Sequence, residues 1–148
     1  MEVTAANIIS WTHTKIVFYP PEGQGENKEI SLTVGGQPAD TPDGEPYIFS
    51  YYPPQVYNIL PVADPSTDGG YPITINGTSF GVQGAAVMMS DPLQNSSNSR
   101  MEPQSCTVVS QTDTQVVCTV PQYGWGGHIQ VTLTVDNRYD WYVICISL

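Results

Sequence analysis

The chain has 148 residues, with 14 acidic side chains against 4 basic ones, a formal charge of −10, 40% apolar residues and 12% charged ones. That balance repels phosphate backbones and excludes nucleic acid as a partner, while the apolar share excludes a disordered acidic tail. There is no apolar run of about eighteen residues for direct membrane insertion, and no basic-then-apolar leader follows Met1, so the chain is either cytosolic or a mature or interior piece of a longer precursor. Thirteen Gly and thirteen Pro, spread along the chain, read as turn punctuation between short strands and predict an all-β fold.

In chain order, Lys15-Ile16-Val17-Phe18-Tyr19 is β-rich, Pro20-Pro21 stops it, and Glu22-Gly23-Gln24-Gly25 turns the chain. Ile30, Leu32 and Val34 then alternate with Ser31 and Thr33, the period of a strand with one buried face. Gly35-Gly36 ends it, and Tyr47 to Tyr51 begins another strand. Tyr51-Tyr52-Pro53-Pro54 marks the boundary between two units, because a Pro pair holds the chain extended and stiff. Beyond it, Ile73 and Ile75 share one face of a strand while Thr74 and Asn76 share the other. A positive φ is expected at Gly77, where that strand ends in a turn or bulge. Ala85 to Met89 supplies a further strand, Ser90 to Pro103 a long polar loop, and Tyr142, Ile144, Ile146 and Leu148 a closing strand. No segment has helical periodicity.

One stretch occurs twice. Ser10, Thr12 and Thr14 fall on Ser110, Thr112 and Thr114; Ile16, Val17 and Pro21 fall on Val116, Val117 and Pro121. After one residue gained in the Gly-rich bend, Ile30, Leu32 and Val34 fall on Val131, Leu133 and Val135. This spacing is too long for a solenoid and fits tandem whole domains.

The second unit resembles the IPT/TIG domain, the immunoglobulin-like module of plexins and related cell-surface proteins. The resemblance rests on Pro53-Pro54-Gln55-Val56, on Gly69-Gly70-Tyr71-Pro72-Ile73-Thr74-Ile75-Asn76-Gly77-Thr78-Ser79-Phe80-Gly81, and on the hairpin Cys106-Thr107-Val108-Val109-Ser110 with Cys118-Thr119-Val120-Pro121. It implies an immunoglobulin-like β-sandwich, with residues 54–148 a complete unit and residues 1–53 the C-terminal half of another. Cys106 and Cys118 are then either a disulfide or two free core thiols, and the family pattern favours the disulfide, hence an oxidising compartment. In the first copy those positions are Ala6 and Phe18, and Cys145 has no evident partner.

Asn76-Gly77-Thr78 and Asn95-Ser96-Ser97 are N-glycosylation acceptors by pattern, Asn76 on an outward strand face and Asn95 in the polar loop. Asp40-Thr41-Pro42-Asp43-Gly44-Glu45 offers carboxylates to Ca²⁺ but lacks the order of an EF-hand, so a solvated turn is the expectation. His13 and His128 have no catalytic or metal-ligating neighbours, and His13 belongs to a turn. The Tyr51-Tyr52 pair is expected to pack at the junction, while Trp11 and Trp125 lie near bends. Neither a catalytic residue, a metal nor a cofactor is expected.

The reading is a non-catalytic structural and interaction module of an extracellular, glycosylated fibre or surface protein. Its partners are N-linked glycans and other copies of itself or neighbouring IPT/TIG units. The half unit needs its missing strands from upstream in the polypeptide or from another copy, the latter giving head-to-tail strand complementation and filaments. The alternative is a ligand-positioning ectodomain of a plexin-like receptor or adhesion protein.

Overall fold

The computed structural model describes residues 5–41, 43–61, 68–90, 102–122 and 127–146. After a 3-10 turn at Ala5–Asn7, β1 (Ile8–Trp11) pairs antiparallel with β2 (Ile16–Phe18). β3 (Lys28–Ile30) is followed by β4 (Thr33–Val34) and β5 (Gln37–Pro38), which pair with each other, and then by β6 (Tyr47–Phe49), which pairs with β3. The C-terminal part comprises β7 (Gln55–Leu60), β8 (Pro72–Thr78), β9 (Ala86–Ser90), β10 (Gln104–Thr112), β11 (Gln115–Thr119), β12 (Gly127–Val135) and β13 (Arg138–Ile146).

Those last seven strands form one hydrogen-bonded series in the order β13-β12-β9-β10-β11-β8-β7. The series becomes two layers at β10: Gln104–Cys106 pair with β9, and Thr107–Thr112 pair with β11. Alternation does the rest. Ile73 and Ile75 of β8, Val116 and Cys118 of β11, Val87 and Met89 of β9, and Ile129, Val131, Leu133 and Val135 of β12 meet in one cluster, each no more than 2% exposed. Each such aliphatic or Met side chain gains about 1.5–3 kcal/mol on leaving water, and among the described residues no polar or charged side chain is buried with them. The architecture is the expected all-β, immunoglobulin-like sandwich.

The disulfide sits at the sheet-switching point. Cys106 is the last β10 residue paired to β9, and its sulfur is bonded to that of Cys118 on β11, with a Cα–Cα distance of 5.6 Å. The bridge therefore ties together the two directions in which β10 pairs.

Some local expectations need correction. β6 ends at Phe49, and β9 runs one residue later than Ala85 to Met89. Gly77 has no positive φ; glycine is required because a Cβ there would lie 1.9 Å from the Gln55 carbonyl oxygen and 2.5 Å from the Phe80 ring. At Gly69 the Pro121 carbonyl lies 2.0 Å from where a Cβ would be, so that position too is dictated by close approach.

Candidate functional site

Two features of the N-terminal segment stand out: how it is fastened to the sandwich, and what it leaves open. The fastening uses two of the chain's four basic residues. Lys28 Nζ lies 2.5 Å from Asp136 Oδ2. Arg138 donates to the Tyr51 carbonyl oxygen and, at 3.1 Å, to Glu26 Oε2. Tyr51 in turn donates its hydroxyl to the Pro21 carbonyl at 2.8 Å and sets its ring edge-on to Phe49, with centroids 5.0 Å apart. Gln24 reaches over Gly81 and Gly84, its Oε1 buried without a hydrogen-bond partner among the described residues. The Lys28–Asp136 pair is more than a third exposed and contributes about 0.2–1 kcal/mol. Arg138 is less exposed, at 22%, and its bond to a backbone carbonyl is charge-assisted, so it is the stronger tie.

The two members of the tyrosine pair are placed differently. Tyr51 makes the bonds just described, whereas Tyr52 is 86% exposed. Pro53 is exposed and Pro54 buried against the sandwich. Sequence reasoning missed Arg138, whose only signal is the scarcity of basic residues in a chain this acidic.

The opening is a cleft of about 1400 Å³ lined by Ile8, Trp11, Ile16, Phe18, Ile30 and Leu32, among others. That is larger than the roughly 300–1,000 Å³ of small-molecule pockets. The same register reappears in the sandwich. Ile8, Ser10 and Trp11 face Phe18, Val17 and Ile16 with a bulge at Ile9; Val108, Ser110 and Gln111 face Cys118, Val117 and Val116 with a bulge at Val109. Thr12 Oγ1 donates to the Lys15 carbonyl just as Thr112 Oγ1 donates to that of Gln115. Further on, Thr33 and Val34 face Pro38 and Gln37 across Gly35-Gly36, as Thr134 and Val135 face Tyr139 and Arg138 across Asp136-Asn137. All four turn residues have positive φ, the two-residue geometry that matches strand twist. One difference is that β5 and β6 are separate strands where β13 runs unbroken.

Exposure is where the two diverge. Val116, Cys118, Val131 and Leu133 are core residues; their counterparts Ile16, Phe18 and Ile30 are only part-covered, and Leu32 is 41% exposed. Trp11 is 55% exposed at the cleft.

The remaining sequence candidates fall in separate places. Asn76 lies on the outer face of β8, donating through Nδ2 to Asn58 Oδ1 at 2.8 Å and accepting from Gln115 Nε2 at 3.1 Å. Its sequon partner Thr78 is 3.1 Å from the Tyr57 hydroxyl. Asn95, Trp125 and Pro42 lie outside the described residues, as do the side chains of Trp141, Cys145 and His128. His13 sits in the β1–β2 turn. Among the described residues no three His, Cys, Asp or Glu gather as a metal site, and no helix is long and apolar enough to cross a membrane. Burial pushes the pKa of the Tyr71 hydroxyl up from its ordinary value.

A disulfide-bridged immunoglobulin-like sandwich, glycine-pinned at Gly69 and Gly77, defines a class of interaction modules. Residues 54–145 match the family model described as the IPT/TIG domain, and the chain belongs to that non-enzymatic family. No curated protein matches the chain. Among solved structures, it is similar to a structural genomics protein of unknown function from Bacteroides thetaiotaomicron VPI-5482, with a TM-score of 0.52 at 16% identity. That match covers 65% of this chain and 22% of the other, and it speaks to fold alone.

Proposed function

We propose that the chain is a non-catalytic structural and interaction segment of an extracellular, N-glycosylated fibre or surface protein built from IPT/TIG units. The observation that carries this is the Cys106–Cys118 bond, sealed in the core where β10 changes sheets, because such bridges persist in oxidising compartments. Asn76 and Asn95 are the proposed glycan sites. Digestion of the native protein with a peptide N-glycosidase is the test: a mass loss of one or two glycans supports the reading, and an unchanged mass removes the glycoprotein claim.

Within this reading the fibre form is tested by sedimentation of concentrated native protein. Polymers that grow with concentration support it; compact monomers alone exclude it. The clasp of Arg138 on Tyr51 favours a second form, a plexin-like receptor or adhesion ectodomain in which fixed units hold a ligand-binding domain at a set angle. Saturable binding of a soluble partner protein to the native molecule would favour that form.

A further inference from the structure

We infer that the cleft of the N-terminal segment receives the N-terminal half of another IPT/TIG unit: three strands of the kind formed here by β7, β8 and β9, lying upstream in the same natural polypeptide. This deepens the reading above and rests on it for the arrangement of units in series.

The missing strands are defined by the ones present. In the sandwich, β11 pairs with β8 on its far side and β12 pairs with β9. β2 and β3 have the registers of β11 and β12, yet among the described residues each pairs on one side only. Each therefore presents alternate N–H and C=O groups along an open edge, and Ile16, Phe18, Ile30 and Leu32 turn toward the same cleft. What is missing corresponds strand for strand to what residues 55–90 supply in the sandwich.

A second copy of this chain cannot be the occupant. Each copy carries two C-terminal halves, residues 8–49 and 104–146, against one N-terminal half. That one half is already consumed, with Ile59, Ile73, Ile75, Val87 and Met89 sealed in its own core. Exchange of strands between copies only moves the open cleft from one place to another.

The rim states how the occupant differs from residues 55–90. In the sandwich, Gln111 holds the loop before β9 by accepting from the Ala85 N–H at 2.9 Å and donating to the Phe80 carbonyl at 2.7 Å, and Asp113 accepts from the Gly81 N–H at 3.1 Å. The register puts Trp11 and His13 at those two positions, so the occupant's loop rests on an indole face in place of a polar clasp. Glu29 stands where Gln130 faces Ser90, and Asp40 also lines the cleft. Charge complementarity across strands then places Lys or Arg at the occupant's counterpart of Ser90.

Hydrogen–deuterium exchange on the polypeptide as it occurs naturally, and on residues 1–148 made alone, tests this. In the natural polypeptide the edge-facing amides of Ile16–Phe18 and Lys28–Ile30 exchange at least about a hundredfold more slowly than in the shorter chain, matching strands of a closed core. Leu32→Asp in the natural polypeptide abolishes that protection and leaves Val116–Cys118 protected. Equal exchange in both forms overturns the proposal, as does a natural polypeptide whose deglycosylated mass is only the 16.1 kDa of these residues. Loss of the glycan claim would leave these exchange rates untouched, so the two readings fail separately.

Discussion

Leu32 and Leu133 each stand three residues before the start of a two-residue turn of the same register, yet Leu133 is 0% exposed and Leu32 is 41% exposed. The same side chain at the same step of the same local structure meets a sealed core in one place and an open cleft in the other. Local sequence sets the backbone pairing; the neighbouring strands decide the energy.

That pair makes a controlled comparison. In the 148-residue chain, Leu133→Ala costs about 2–5 kcal/mol, the range for a buried leucine, whereas Leu32→Ala costs less than about 1 kcal/mol, as for surface changes. Urea denaturation reads both. Equal costs would mean that something within the chain already seals Leu32.

The disulfide is expected to act on the sandwich alone. With the cysteines 12 positions apart in sequence, replacing both Cys106 and Cys118 with Ala costs about 3 kcal/mol in the chain-entropy account. For a domain of this size that is a fall in Tm on the order of 15 °C. The β1–β2 hairpin has Phe18 at the position of Cys118, and its amide exchange is indifferent to the substitution.

Gly77→Ala forces a methyl group into the Gln55 carbonyl and the Phe80 ring. Since the first of these is backbone, relief requires β7 to move from β8, and a loss of about 1–3 kcal/mol is expected from overpacking. A Tm unchanged from the parent would show that β7 can shift freely.

Burial raises the pKa of the Tyr71 hydroxyl above its ordinary value of 10.0. The protonated form is the one the fold favours, so its contribution is complete below about pH 10 and is lost as pH rises through the higher folded value. Tyr71→Phe should therefore flatten the decline in Tm above pH 10 relative to the parent, with little change at pH 8. Identical alkaline slopes would remove Tyr71 as a cause.

Arg138→Met keeps the aliphatic stem but removes the donors to Tyr51 and Glu26. Limited proteolysis near residues 50–54 should accelerate by about tenfold, the factor that roughly 1.4 kcal/mol of lost closure represents. The Tm of the sandwich should barely move. A sandwich that unfolds earlier would mean that the junction is part of its core.

Much of the sandwich is legible in the sequence because its signals are local. Alternation at Ile73 and Ile75, paired cysteines across a hairpin, and glycines before a β-rich run each constrain a few neighbouring residues. The alternation of Ile30, Leu32 and Val34 announces an apolar face equally well, but contains no information about what covers it. The junction is less legible still, since Arg138 and Glu26 are 112 residues apart in sequence and neither has a local partner that would mark it. Tyr52 shows the limit from the other side: an aromatic next to a Pro pair invites packing, and only the direction of the chain at Tyr51 sends it into solvent. The sequence suggests Gly77 for its φ, whereas the fold needs it for want of a Cβ, a distinction visible only once β7 lies against β8.

The ties around Arg138 also determine how load would travel. Where units are joined by a bare linker, tension runs through one peptide and the assembly bends freely, its span growing only as about the square root of the number of links. Here the carbonyl of Tyr51, the carboxylate of Glu26 and the Lys28–Asp136 pair brace the joint from the side. Were the proposed serial units all fastened in this way, they would form a strut: each one added would extend the reach by nearly its full length, and whatever was carried at the tip would stand at a defined height and orientation from the base.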